Sequence, residues 1–258
     1  VSEETHLKSM AQIVRDYPTT AISLGEGNAL SIAGEDLCRC PHCIAGFGDH
    51  LRKAYADLAA LNRAWGTAFE TWDGILPPTE QQARESKRYA PWIDFRSYMD
   101  SVFLNTHAAA RGILRTADMR ARSGFSTQNT DELYTGYDWG ALASRLDMLA
   151  TPADPRIVDI VRCSHGPAAF AGIEMPADVT PEKLRWLPWY AVLHRAQSLW
   201  WPDICASTVA VPAITGVDPL GNPAPFAPEF FGETAALQGG IARLLLKSTP
   251  IRQDIAVY

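Results

Sequence analysis

The residues T-A-I-S-L-G-E-G-N at 20–28 join an apolar segment to an isolated acid, and the architecture of the chain follows from that order. The apolar half predicts a short strand over residues 20–24 that ends at Gly25 and Glu26. A helical pattern over residues 3–17 precedes it, and Pro18 ends that helix. Glu26 is therefore expected at the carboxyl end of a strand.

The same alternation of strand and helix recurs along the chain. Four further strands are predicted at 122–128, 146–150, 168–173 and 198–206, and helices at 44–65, 95–117, 181–197 and 230–247. Five strand-helix units with polar strand ends are typical of a (β/α)8 TIM barrel, an α/β fold. Since closure needs eight units, we expect residues 1–253 to be the C-terminal five units of a larger catalytic domain.

Composition restricts the classes of function. The 258 residues are 47% hydrophobic and 20% charged, which is typical of a soluble globular chain with one large core. A net charge of -6, spread without long blocks of one sign, argues against nucleic acid as a partner. No apolar run approaches the roughly 20 residues of a membrane helix. We expect a cytoplasmic protein with no membrane partner and no organic cofactor, although a signal could lie outside the chain given.

Three cysteines, Cys38, Cys40 and Cys43, follow the acidic segment closely. Neighbours at C-x-C-x-x-C spacing make poor disulfides, whereas one tetrahedral zinc ion accepts several thiolates from a short loop. We predict a structural zinc site with these three ligands, and three buried reduced thiols are the alternative. The fourth ligand is open among His42, Cys163, Cys205 and a residue outside this chain.

Two longer motifs follow the cysteine loop. L-N-R-A-W-G-T-A-F at 61–69 ends a predicted helix, and W-D-G-I-L-P-P at 72–78 comes next. With the acid-tipped strand and C-x-C-x-x-C before them and D-F-R at 94–96 after them, these motifs resemble glycoside hydrolase family 42, β-galactosidases with a TIM-barrel catalytic domain. The resemblance is dense over residues 20–100. It is thinner later, where 126–129, 146–148 and 173–174 are similar to the family's strands five, six and seven.

The resemblance assigns roles to two acids. It implies that Glu26 on strand four is the acid/base and that Glu174 at the end of strand seven is the nucleophile. Glycoside hydrolysis needs two carboxyls that flank the scissile bond, and a separation of about 5 Å predicts retention of configuration. The alternative for either residue is a solvated loop acid.

The resemblance also implies partners. These are a carbohydrate substrate, barrel strands one to three on the same or another chain, and a homotrimer, since residues 254–258 resemble the start of the family's trimerisation domain. Five barrel strands alone leave two unpaired sheet edges and an open core. We therefore expect another segment or chain to cover them.

The residue before the acid/base departs from the family pattern. Family members usually carry an asparagine there that holds the sugar 2-hydroxyl, whereas this chain has Gly25. Loss of such a hydrogen bond removes transition-state stabilisation unless another group, for example Asn28, replaces it. Asn129, at the end of the predicted second strand, is a further candidate sugar contact.

Aromatic residues late in the chain are candidate stacking faces for a sugar ring. Trp200 and Trp201 are equally suited to the pocket and to the core, because residues alternate faces along a strand. Trp186 is a third candidate, and we assign Trp189 and Tyr190, on a predicted helix, to core packing. His165 and His194 receive no functional role, because a lone histidine is more often structural.

The sequence thus predicts a retaining exo-glycosidase that acts on β-galactosides or a related β-linked sugar. A catalytically inactive carbohydrate-binding relative is one alternative, motivated by Gly25. The same chemistry on a β-mannoside, an arabinoside or an algal galactan is another, since the loops that choose the sugar lie partly outside the chain.

Overall fold

A computed structural model of the chain describes residues 3–17, 21–26, 28–31, 36–120, 122–126, 137–164, 170–174, 180–200, 222–223 and 225–248. It contains two compact units. The helical unit comprises residues 1–20, 27–121 and 129–145, and the sheet unit comprises residues 21–26, 122–128 and 146–258. Among the described helices, none combines the length and the apolar character that a membrane span requires.

Within the described residues, the sheet unit contains five parallel strands in the order of the sequence. They are β1 (Ile22–Glu26), β2 (Ser123–Ser126), β3 (Met148–Pro152), β4 (Phe170–Glu174) and β5 (Ser198–Trp200). All four neighbouring pairs are parallel, as in a barrel wall, and all five strands were predicted near these positions. The fold is thus a partial (β/α) barrel.

The middle of the sheet is fully buried. Phe125, Met148 and Leu149 have no exposed surface, as expected for parallel strands that are covered on both faces. Gly124 makes close strand packing possible, because a Cβ atom there would lie 1.6 Å from the carbonyl oxygen of Met148. A side chain at this position would push β2 away from β3.

Helices of the sheet unit are α7 (Pro155–Ser164), α8 (Pro181–Leu193), α9 (Ala227–Ala236) and α10 (Ala242–Lys247). Helix α7, which the sequence reasoning did not anticipate, packs on β3 and β4. The predicted helix at 230–247 is interrupted by a π-helical segment, Leu237–Ile241, where Gly240 has a φ of 121°. Helix α8 packs against both α9 and α10.

The helical unit contains α1 (Glu3–Asp16), α2 (Pro41–Ala54), α3 (Leu58–Trp65), α4 (Glu80–Ser86), α5 (Ala90–Ala117) and α6 (Trp139–Arg145). The prediction of one helix over 44–65 was wrong, because Asp57 starts α3 by accepting a hydrogen bond from the Ala60 N–H. Helix α4 was not anticipated either, although Thr79 and Gln82 form a capping box at its start. Gly66, in the left-handed conformation, ends α3 as predicted.

The core of the helical unit combines aromatic and aliphatic side chains. It is formed by the buried residues Leu37, Phe47, Leu51, Leu61, Trp65, Ile75, Phe95 and Met99. Asp94, in the second turn of α5, receives hydrogen bonds of 2.7 Å from the Tyr55 hydroxyl and from the Trp65 indole. These two bonds fasten the segments around α3 to α5.

Candidate functional site

The two candidate catalytic acids lie at one edge of the sheet. Glu26 is the last residue of β1 and Glu174 is the last residue of β4. In a parallel sheet all carboxyl ends meet at the same edge, so both residues end on the edge where barrel enzymes place their sites. Strands β2 and β3 lie between them. The side chains of both acids lie outside the described residues, and their catalytic roles stay predictions.

The backbone before Glu26 is irregular. Between Ser23 and Glu26, β1 advances three residues while β2 advances two, from Gly124 to Ser126. This is a β-bulge, a feature enriched next to active sites, where it redirects the strand. Gly25 lies inside the bulge with a φ of 154°, in a range that residues with side chains rarely adopt. The Ser23 hydroxyl donates a 2.8 Å hydrogen bond to the Gly25 carbonyl and supports this shape.

Trp200 is level with Glu174. The two residues are register partners on β5 and β4. The Trp200 indole N–H donates a 2.7 Å hydrogen bond to the Ser198 hydroxyl. It also lies against Gly172, where a Cβ atom would come within 2.8 Å of the indole nitrogen. Trp200 therefore ends at the same sheet edge as Glu174, while Trp201 and Asn129 lie outside the described residues.

Asn28, the candidate replacement for the missing asparagine, has partners within the helical unit. Its side-chain amide donates a 2.9 Å hydrogen bond to Nε2 of His107. Nδ1 of His107 is 2.8 Å from the Phe103 carbonyl, which only accepts, so Nδ1 carries the proton and Nε2 is the acceptor. The Tyr137 hydroxyl donates to the Asn28 carbonyl. A role in sugar binding stays a prediction for Asn28.

His107 and Tyr137 were missed by the sequence reasoning. His107 lies on the apolar face of α5 and is 8% exposed, and Tyr137 precedes α6. A histidine among apolar positions of a long helix was the available signal, because a buried imidazole needs a polar partner. The partner itself was unpredictable, since Asn28 is 79 residues away in sequence.

The remaining aromatic candidates lie on α8. Trp186 is 50% exposed, whereas the Trp189 indole donates a 2.6 Å hydrogen bond to Glu233 on α9. The Tyr190 ring stacks on His194, whose Nδ1 is 2.8 Å from Asp159 on α7. These contacts tie the helices of the sheet unit together. His165 and Cys205 lie outside the described residues.

The three clustered thiols could hold a metal ion. The Sγ atoms of Cys38, Cys40 and Cys43 lie within 4.8 Å of one another, and those of Cys40 and Cys43 are 3.6 Å apart. A tetrahedral zinc site with Zn–S bonds of 2.3 Å has sulfur atoms about 3.8 Å apart, so the spacing fits. His42 and Cys163, both described, are not members of this cluster.

The surroundings favour the thiolate form at Cys40 and oppose it at Cys43. Cys40 is the N-cap of α2 with Pro41 at its first position, and a helix N-terminus favours thiolate. Hydrogen bonds from the Cys43 peptide N–H and thiol lower the pKa of Cys40, whereas burial raises the pKa of Cys43 to about 12. Arg39 fastens the loop by donating to the Pro77 carbonyl and by lying over the Phe95 ring.

The family model described as beta-galactosidase, Glyco_hydro_42, matches residues 28–157, half of the chain. The chain belongs to glycoside hydrolase family 42. The match to this β-galactosidase family covers the cysteine loop, both motifs at 61–78 and the strands β2 and β3. Among curated proteins, none is significantly similar in sequence.

Solved structures show the same fold. The β-galactosidase from the psychrophilic Marinomonas ef1 is 16% identical with a TM-score of 0.70, over 95% of this chain and 44% of that one. The β-galactosidase from Bacillus circulans sp. alkalophilus is 17% identical with a TM-score of 0.73, over 95% and 40%. The agarase AgWH50C is 10% identical with a TM-score of 0.64, over 95% and 40%. The family 42 chain spans about two-fifths of the length of these proteins.

Proposed function

We propose that this chain is the C-terminal part of the catalytic barrel of a retaining β-galactosidase, with Glu26 as acid/base and Glu174 as nucleophile. The observation that carries the proposal is the place of both acids, each the last residue of a parallel strand at one sheet edge. Membership of a glycoside hydrolase family supports the reaction class.

In this mechanism the two acids act in two steps. The protonated Glu26 donates its proton to the glycosidic oxygen as the bond to the anomeric carbon breaks, and the Glu174 carboxylate attacks that carbon from the opposite face. A covalent glycosyl ester on Glu174 forms, and the aglycone leaves. Glu26 then takes a proton from a water molecule that attacks the anomeric carbon, which restores Glu174 and releases the sugar with its original configuration.

The proposal includes the rest of the barrel. Within the described sheet β1 and β5 are edge strands, so each has main-chain groups on one side that lack a strand partner there. Three further strands, on the same or another chain, would close the barrel. Assignment of residues 254–258 to a following domain, the homotrimer and the cytoplasmic location belong to this proposal as well.

A second candidate is a relative that binds carbohydrate without cleaving it. The specific observation is Gly25, which supplies no side chain for the sugar 2-hydroxyl and which the bulge uses for its backbone conformation. The likeness to an agarase also keeps an algal galactan among the candidate substrates, next to a mannoside or an arabinoside. A panel of nitrophenyl glycosides, with the anomeric configuration followed by NMR, separates these candidates.

The test of the mechanism uses the protein with its barrel complete. Glu174→Gln should abolish turnover, and Glu26→Gln should lower kcat roughly 10²- to 10⁴-fold on poor leaving groups. Glu70→Gln, at an exposed loop acid, is the matched control and should retain full activity. If Glu174→Gln hydrolysed aryl β-galactosides as fast as its parent, the nucleophile assignment would be wrong.

Azide distinguishes the two roles further. With Glu174→Gly and an activated substrate, azide should replace the missing nucleophile and give an α-glycosyl azide. With Glu26→Gly, azide should attack the covalent intermediate on Glu174 and give a β-glycosyl azide. Exchanged products would reverse the assignment, and sugar binding without turnover by the parent would establish the binding relative.

A further inference from the structure

The strands β4 and β5 have one face that packs on helices. A buried cluster joins them to α7 and α8, and its members are Val158, Ile173, Leu187, Ala191 and Ala196, with Leu199 packed against them. Ile173 of β4 and Leu199 of β5 therefore point towards these helices. Since residues alternate faces along a strand, Glu174 and Trp200 belong to the opposite face, which is the inner face of a closed barrel.

The Trp200 indole is turned back along its own strand on this inner face. Its N–H donates a 2.7 Å hydrogen bond to the hydroxyl of Ser198, which lies two residues earlier on β5 and therefore on the same face. Gly172, the register partner of Ser198 on β4, leaves the space that this conformation needs. A Cβ atom at Gly172 would lie 2.7 Å from the Ser198 hydroxyl and 2.8 Å from the indole nitrogen. Ser198 and Gly172 together thus fix one orientation of the ring.

This orientation decides what Trp200 offers to a ligand. Because Ser198 accepts from the indole N–H, the ring is left with its apolar faces, and Trp200 is partly exposed. An aromatic face suits the apolar C–H face of a pyranose ring, which packs on it without a hydrogen bond. Trp200 is level with Glu174 on the neighbouring strand, and adjacent strands are about 4.8 Å apart. A sugar held on this ring would lie beside the residue that is proposed as the nucleophile.

We infer that Ser198 is a positioning residue that holds the Trp200 indole as a sugar-stacking surface next to Glu174, and that Gly172 provides the room for it. This role of Ser198 rests on the proposed function, since it takes Glu174 as the nucleophile. Ser198 acts through Trp200 and does not itself contact the sugar. The alternative is a Trp200 side chain that only fills the space beside Gly172.

The kinetic test uses the protein with its barrel complete and the nitrophenyl glycoside that the parent cleaves fastest. Ser198→Ala removes the acceptor of the indole N–H and should raise KM about fivefold, the size expected for one hydrogen bond, with kcat within about twofold. Ser198→Thr keeps the hydroxyl and should recover most of the parent's KM. Gly232→Ala, on α9 where a Cβ atom meets nothing within 4 Å, is the matched control and should behave as the parent.

A variant at Gly172 tests the space for the ring. Gly172→Ala places a methyl group against the indole nitrogen, so the ring has to leave its position. We expect KM to rise at least as much as in Ser198→Ala. This variant keeps the hydroxyl of Ser198 and therefore separates the orientation of the ring from the presence of its hydrogen-bond acceptor.

Fluorine NMR of protein labelled with 5-fluorotryptophan gives a measurement that does not depend on turnover. Trp200→Phe identifies the Trp200 resonance, which should move in Ser198→Ala and stay close to the parent's position in Ser198→Thr. Addition of the monosaccharide released from the cleaved glycoside, or of galactose where none is cleaved, should also move this resonance in the parent.

The two measurements separate the possible failures. An unchanged Trp200 resonance in both Ser198→Ala and Gly172→Ala would overturn the restraint on the ring. A moved resonance with the parent's KM would overturn the positioning role and leave Trp200 as a packing residue. A parent that cleaves none of the glycosides would remove the proposed function; a shift of the Trp200 resonance with galactose would then still support the stacking surface, and no shift would overturn it as well.

Discussion

The residues that identify the family and the residues that are proposed to carry its chemistry lie in different units of the molecule. The motifs at 61–69 and 72–78 belong to the helical unit, and both candidate acids belong to the sheet unit. Their contacts differ in kind. Residues of the 61–69 motif form side-chain hydrogen bonds with one another, whereas the two acids are described by their backbone alone, as the last residues of paired strands.

The motif at 61–69 has a structural explanation. The Asn62 carboxamide donates to the Phe69 carbonyl at 2.8 Å and accepts from the Thr67 hydroxyl and the Phe69 N–H. Gly66 makes the left-handed turn between them, and Trp65 donates to Asp94. A dense family motif can therefore consist of residues that stabilise the fold and take no part in the reaction. Evidence for the reaction has to come from the strand ends.

We expect the largest loss of stability in the helical unit from a change in the cysteine cluster. Cys43→Ser should lose the metal and lower the free energy of unfolding by several kcal/mol, because a structural zinc ion contributes directly to folding. The measurement is metal content by mass spectrometry together with the thermal midpoint Tm. Cys163→Ser, at an exposed thiol on α7, is the control and should change neither.

Metal content is the decisive quantity for that prediction. A parent protein without bound zinc would leave three reduced thiols as the better interpretation of the cluster. Retention of one zinc ion per chain by Cys43→Ser would show that Cys43 is not a ligand. Either outcome would weaken the view that the helical unit is stabilised by a metal while the candidate catalytic acids lie in the sheet unit.

A smaller effect is expected at the 61–69 motif. Asn62→Ala removes three side-chain hydrogen bonds around the turn at Gly66 and should cost about 1–3 kcal/mol of stability, with kcat unchanged. Denaturant unfolding and steady-state kinetics on the same preparations test both parts, with Asn105→Ala as the matched exposed control. A fall in kcat without a loss of stability would contradict a purely structural role for the motif.

The sequence predicted the sheet well because strand patterns are local. All five strands and the acids at the ends of β1 and β4 were found from apolar runs and their ends. The cysteine spacing likewise predicted the cluster, since C-x-C-x-x-C brings thiols together within one short loop.

Features that depend on distant contacts or on backbone detail were not predicted. Helix α7 was missed because it is only ten residues long and begins three residues after Pro152, the last residue of β3. The contact between Asn28 and His107 joins parts of the chain that no local pattern relates. The bulge before Glu26 was missed because the strand T-A-I-S-L gives no sign of an extra residue in the pairing with β2.

A substitution at Gly25 should give the smallest loss of stability. It also tests most directly whether the end of β1 follows the family pattern. From the sequence alone, Gly25 is a glycine in the place of the asparagine that family members usually carry. On that interpretation Gly25→Asn should raise activity. The structure indicates otherwise, because Gly25 has a φ of 154° inside the bulge, and a side chain there adds strain of about 1 kcal/mol.

We expect Gly25→Asn to lower stability by about 1 kcal/mol and to leave kcat at or below that of the parent. Gly112→Asn, at an exposed position on α5 where a Cβ atom meets nothing within 4 Å, should be close to neutral. A stable Gly25→Asn protein with a higher kcat would mean that the strand end tolerates the family residue, and that the bulge does not require glycine. The end of β1 would then follow the family pattern as closely as the motifs of the helical unit do.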